Sequence, residues 1–277
     1  MRKDISGRLW LLALSLLWGT RLCAQELPPT VGESSFVLGI GRSNQLDTYL
    51  SPIEFTGKQV TLMQEYHHTL RRNPGVSFGS VWQANGAACN NWHNGIDLWA
   101  ADIHYDATWQ YQWQIKRLRG LTLKAGGGVG LTLGGVYSTR GGNNPANAHL
   151  QVRMLAALGA DYRFRLWKRD WRVGYHLDAP LCGAMFSPHY GQSYYEIFSL
   201  GHADGVVRFT SLHNQPSLRQ MLTADLPVGR MKMRLAYVWD AQQSSLNNLR
   251  THAYSHVFMV GFVKEFYLLP NKKKQTL

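Results

Sequence analysis

Asp102, His104 and Asp106 lie two residues apart in one stretch of the chain, and His176 and Asp178 repeat that spacing in another. On an extended strand alternate residues project to one side, so each group converges on one face. A histidine held by a carboxylate can serve as a general base. These five are therefore the candidate catalytic residues, and the chemistry they suggest is hydrolysis, of lipase or deacylase type. Hydrolysis also needs a nucleophile. Ser255 precedes His256, but neighbours on a regular strand face opposite ways. The chain has no HExxH pattern. His67 and His68 are likewise adjacent and cannot chelate one ion from one face. No metal and no cofactor is expected. Ser211-Leu212-His213-Asn214 reads as a turn before it reads as a site.

These residues sit in segments that alternate over unusual lengths. From Asp97 to Gln114 one parity carries Trp99, Ala101, Ile103, Tyr105, Ala107, Trp109, Tyr111 and Trp113, and the other Asp102, His104, Asp106, Thr108, Gln110 and Gln112. A helix would scatter both sets around its circumference. The same alternation runs through 121–137, 148–166 and 231–240. Strands of this length, with Trp and Tyr near their ends and small or aliphatic residues between, fit a wall with lipid on one side and a lumen on the other. A soluble sandwich alternates too, but over strands of about 5–6 residues. The pattern predicts an all-β fold, a single antiparallel transmembrane β-barrel.

Strands are expected at 35–42, 58–70, 76–84, 97–114, 120–137, 148–166, 171–182, 193–200, 206–212, 217–226, 230–240 and 251–266, about twelve within a range of about 10–14. Tight connections are read at 71–75, 116–120, 168–170, 201–205, 213–216 and 227–229. Longer polar connections are read at 43–57, 86–95, 139–148, 186–193 and 241–248. The lumen-lining residues are then Glu65, Asp102, Asp106, Lys124, Arg153, Asp161, Arg163, Arg172, Asp178, Arg208, Arg219, Asp225, Lys232 and Arg234. Unpaired charge in such an interior is expensive, so these should form ion-pair networks. Gly126, Gly128, Gly130 and Gly134 share that face. They either leave a narrow channel or admit bulky neighbours and let the strand curl.

The chain has 277 residues, 27 glycines and a net charge of +12. Arg2, Lys3 and Arg8, the apolar run 9–18 and a polar segment up to Ala24 form a secretory signal peptide, 1–24, whose apolar run is too short to span a bilayer. Removing Arg2, Lys3, Arg8 and Arg21 with Asp4 leaves about +9, which favours an anionic partner such as lipid phosphate. No nucleic-acid motif is present. Cys89 and Cys182 remain after export, where an oxidising compartment permits a disulfide. The barrel is assigned to 25–266, followed by a basic tail, 267–277, whose Lys272, Lys273 and Lys274 can meet lipid phosphates.

Phe258, Val260, Phe262 and Phe266 share one face, with Gly261 on the other. This resembles the C-terminal recognition signal of outer-membrane barrels, with Lys264 as a departure. The segments 46–52 (LDTYLSP), 209–217 (FTSLHNQPS) and 239–243 (WDAQQ) together resemble a family of exported Bacteroidetes proteins of unknown function. That resemblance covers nearly the whole mature chain. It implies export and a barrel, and brings no active site. The expected protein is a monomer of the bacterial outer membrane, structural or a narrow conduit. Its partners are expected to be outer-membrane lipids and the barrel-assembly machinery. The alternative is a lipid-modifying hydrolase.

Overall fold

The computed structural model describes residues 32–266, apart from 71, 72, 92, 94, 140–143 and 230. The signal peptide, the basic tail and Arg71 and Arg72 lie outside the described residues. In chain order the strands are β1 (Gly32–Asp47), β2 (Ser51–Thr69), β3 (Val76–Asn91), β4 (Ile96–Gln114), β5 (Leu121–Ser138), β6 (Ala146–Leu166), β7 (Arg169–Phe186), β8 (Val207–Ser211), β9 (Leu218–Val228), β10 (Met231–Leu246) and β11 (Leu249–Phe266). Each of the first seven pairs antiparallel with the next; β7 then pairs with β9, β9 with β10 and β10 with β11. The sheet closes where β11 returns to β1, from Gly32 opposite Phe266 to Asp47 opposite Thr251. Closure gives each of the ten wall strands two neighbours, the sheet form that satisfies backbone groups in hydrocarbon, while β8 keeps a free edge at one end.

The wall therefore has ten strands, at the low end of the expected range of about 10–14. Residues 193–200, expected as a strand, contain the one-turn helix α1 (Tyr194–Phe198). Ser193 accepts from the Glu196 N–H, and the Glu196 carboxylate accepts from the Ser193 N–H at 2.7 Å, a reciprocal cap that makes a turn of helix favourable. Residues 206–212 form only the five-residue β8, which pairs with the end of β7 from Cys182 to Phe186. The stretch 201–205, expected as a tight turn, belongs to this excursion between β7 and β9. Residues 43–57, 86–95 and 241–248, expected as long connections, are mostly strand: β1 meets β2 through 48–50, and β10 meets β11 through Asn247 and Asn248 alone. Both asparagines have positive φ, 49° and 62°, which this short side chain tolerates in a two-residue hairpin.

The faces follow the alternation. Trp109 is 50% exposed on the outer wall, whereas its neighbour Gln110 is 5% exposed in the lumen. Val60, Ile103, Leu131, Val152 and Phe258 also face outward and are exposed. The lumen is filled in layers. One apolar layer joins Val37, Met63, Met221, Val238 and Val257, and a second, nearer the end away from the termini, joins Phe55, Ala87, Cys89, Leu98 and Val136.

Cys89 and Cys182 are both free thiols in this structure, so the disulfide that export would permit is not formed here. Cys89 belongs to the second apolar layer on β3, whereas Cys182 lies on β7 beside a bulge in the β6–β7 register. The two strands share no pairing.

Candidate functional site

Charged layers separate the apolar ones. In the layer nearer the termini, Arg234 of β10 gathers carboxylates from three other strands. Its Nε donates to Asp225 Oδ1 at 2.7 Å and its Nη2 to Glu33 Oε1 at 2.7 Å. Its Nη1 donates to Ser35 Oγ at 2.9 Å and also to Glu65. Arg172 of β7 is paired with Glu33 and, at 2.8 Å, with Asp225. Lys124 and Asp161 pair at 2.6 Å beside them. Arg234, Glu65 and Asp225 are all at most 3% exposed. Burial of this kind is tolerated only because each charge is paired and hydrogen-bonded.

The second charged layer is built on Asp106 of β4, which takes Arg153 of β6 at 2.7 Å and Arg219 of β9 at 2.8 Å. Arg219 also reaches Asp178 at 2.9 Å. The glycine row on β5 serves this packing. A Cβ on Gly130 would stand 2.3 Å from Asp106 Oδ1 and 2.8 Å from Arg153 Nε, and one on Gly128 would stand 2.0 Å from the Ala107 carbonyl oxygen. The missing side chains admit an ion pair and let strands approach. They do not open a channel. Within this second layer the cavity lined by His104, Asp106, Asp178 and Asp240 is only about 10 Å³, about the least that one water needs. The end nearer the termini opens into a vestibule of about 810 Å³, lined by Glu33, His67, Lys124, Arg163 and His176 among others.

The candidate catalytic residues are thus all in the lumen, but not as a catalytic set. Asp102 Oδ1 lies 2.5 Å from His104 Nε2 and accepts from Asn85 at 2.7 Å. His104 Nδ1 is 2.9 Å from Thr132 Oγ1, and that oxygen also accepts from Arg153 Nη1. The consistent assignment has His104 donating from Nε2 to Asp102 and accepting at Nδ1 from the Thr132 hydroxyl. Both ring nitrogens are then occupied, and no serine is bound to this histidine among the described residues. His176 does not pair with Asp178. It lies 3.7 Å from Asp161 and stacks on His67 with centroids 6.2 Å apart. His68 is on the outer wall beside Tyr66 and Phe78, and Ser255 and His256 face opposite ways. Arg208, expected in the lumen, is exposed on β8 and donates to Asn247 at 2.6 Å.

A third polar cluster, which the sequence did not single out, sits at the rim away from the termini. Asn147 donates to Asp47 Oδ2 at 2.7 Å and His149 Nε2 lies 3.1 Å from the same oxygen. Tyr194 of α1 donates to Asn147 Oδ1 at 2.8 Å and accepts from the Ala148 N–H at 2.6 Å. Tyr49, beside it, donates to the Gln192 carbonyl at 2.8 Å. Partial burial, with Tyr194 and Asp47 close by, pushes the Tyr49 hydroxyl up to about 12. The α1 excursion thereby takes up a β6 backbone donor beyond the residues that pair with β7.

Comparison with solved structures returns outer-membrane barrels. The outer membrane protease OmpT from Escherichia coli is similar at 10% identity and a TM-score of 0.51, over 88% of this chain and 100% of that one. The transport unit of the autotransporter AIDA-I from Escherichia coli is similar at 7% identity and a TM-score of 0.43, over 91% and 97%. The translocator domain of the autotransporter NalP from Neisseria meningitidis is similar at 11% identity and a TM-score of 0.39, over 91% and 97%. At such identities the first of these speaks for the fold alone. No curated protein matches the chain. Residues 9–273, nearly the full length, match the family described as Protein of unknown function (DUF3316), and the chain belongs to that family.

Proposed function

We propose that this protein resides in the outer membrane of a Gram-negative bacterium, with its termini in the periplasm, as a structural barrel whose lumen is occluded. The observation that carries this reading is Arg234, tied at once to Glu33 on β1, Glu65 on β2 and Asp225 on β9. One side chain joins four strands of the wall and fills the lumen where a solute would pass. Asp106, Arg153 and Arg219 repeat the obstruction farther along. Lipids and the barrel-assembly machinery are the partners such a protein needs, and among the described residues each wall strand already has two neighbours. A conduit of ten strands would be narrow even if emptied, since open aqueous pores are built from about 16–18.

Single-channel recording in planar bilayers tests this directly. The wild-type protein should insert without regular conductance steps at neutral pH. The double variant Glu65→Gln, Arg234→Met, which removes the central tie while keeping the layer's balance of charge, should show small flickering openings. Regular steps from the wild-type protein would refute the occluded reading.

A further inference from the structure

The outer wall carries one row that does not suit hydrocarbon. Read across the registers, Trp239 lies opposite His256, His256 opposite Arg42, Arg42 opposite Lys58, Lys58 opposite Ala88, Ala88 opposite Trp99 and Trp99 opposite Tyr137. Directly opposed residues share a face, and Trp99 is 57% exposed on the outside. Arg42 and Lys58 are therefore neighbours on the outer wall, and both are exposed. Two cations in directly opposed positions have Cβ atoms about 4.5–5.5 Å apart and repel each other. Among the described residues neither has an acidic partner. Glu54, farther up the outer face of β2, is taken by Asn44 at 3.0 Å.

The height of this row is informative. On β1 and β11 the outer face is apolar through Phe36, Leu38, Ile40, Phe258, Val260 and Phe262, and turns polar below at Ser34, opposite Lys264. From Ser34 to Arg42 is eight residues, about 27 Å along the strand and about 20 Å along the barrel axis at the usual tilt. That approaches the roughly 25 Å apolar band of such barrels. Arg42 and Lys58 thus lie at the phosphate level of the leaflet away from the termini.

Beside them the wall is hollowed. A groove of about 880 Å³ runs from Lys58 over a floor of small residues, Ala88, Ala101, Gly135 and Ala148, between Val60 and the rings of Trp99 and Tyr137. Nothing stands within 4 Å of a Cβ placed on Gly86, which also borders it. An apolar trough with Lys58 in its lining and Arg42 directly opposite Lys58 on the neighbouring strand matches one occupant in chemistry and in depth. We infer that Arg42, Lys58 and this groove bind an anionic phospholipid of that leaflet, phosphate on the cations and acyl chain in the trough. The inference rests on the membrane reading proposed above, and it makes the specific prediction that lipid is held at one place on the wall.

The test is native mass spectrometry of the full protein in dodecyl maltoside, titrated with dimyristoyl phosphatidic acid, dimyristoyl phosphatidylcholine or inorganic phosphate. Wild-type protein should retain one phosphatidic acid at concentrations roughly ten-fold below those needed for phosphatidylcholine, and inorganic phosphate should not displace it. The double variant Arg42→Gln, Lys58→Gln should lose that preference. Ala101→Phe, which fills the trough, should weaken both lipids while leaving the cations in place. A double variant that keeps the ten-fold preference would overturn the site. So would displacement by inorganic phosphate, or a wild-type dimer that Ala101→Phe dissociates. Each variant is first checked for fast migration on unheated gels. Failure of the wild-type protein to migrate fast would count against the membrane barrel itself, a different outcome from losing lipid preference.

Discussion

Arg234 shows how much of the stability of this interior sits in single side chains. Its guanidinium serves Glu33, Glu65 and Asp225 together, so removing it leaves three buried carboxylates to Arg172 and Ser35. Arg234→Met should cost about 3–5 kcal/mol, the usual penalty for breaking a buried pair on one side, read as a lowered midpoint for urea unfolding from detergent or lipid. The residues of this layer were partly legible. Glu65, Arg172, Asp225 and Arg234 could be assigned to the lumen by parity alone. Glu33 could not, because it precedes Phe36, where the apolar alternation of β1 begins. Partners were illegible as well. Asp102 and His104 did turn out to be joined, but parity could not say that Thr132 would occupy the other ring nitrogen, since that contact comes from the next strand at a register set by the connecting turn.

At the scale of elements, the excursion between β7 and β9 departs most from expectation. Residues 193–200 read as a strand because Tyr194, Tyr195 and Phe198 suit one, while the Ser193–Glu196 cap that decides for a helix is a two-residue signal. The Ser193 N–H and hydroxyl hold the Glu196 carboxyl below its usual range. A lowered value means that the carboxylate's support of α1 is present above the ordinary carboxylate range and is lost as pH falls through the lowered value. Hydrogen–deuterium exchange of a peptide spanning 190–200, corrected for the intrinsic rate, should therefore show constant protection from about pH 7 to about pH 5 and a decline at lower pH. Glu196→Ala should show weaker protection throughout and no such step. The distal halves of β1, β2, β3 and β10 were misread for a related reason. On β1 and β10 both faces are polar above the apolar band, as at Asn44 and Gln45 or Gln242 and Gln243, so alternation disappears while the hydrogen-bond ladder continues; on β2 and β3 the lumen face there carries Phe55, Ala87 and Cys89, amid Pro, Gly and Asn residues that read as a loop.

For the whole molecule, the legible part was the class: Trp109 outward and Gln110 inward, repeated around a closed wall. Closure itself depends on one seam. Gly261 of β11 faces β1, where a Cβ would stand 1.9 Å from the Phe36 carbonyl oxygen. Gly261→Val should pry the seam apart, seen as loss of the fast-migrating form on unheated gels, while Gly86→Val, with open space around it, should leave that form intact. The seam also orders events in time. Glu33 belongs to the first strand made, yet it is neutralised by Arg172 of β7 and Arg234 of β10, both synthesised much later. Until β7 and β10 join the wall, that carboxylate can be met only by water, which its place in the open vestibule keeps within reach. The ties to Arg172 and Arg234 are therefore coupled to closure, so that the late strands fasten the first one.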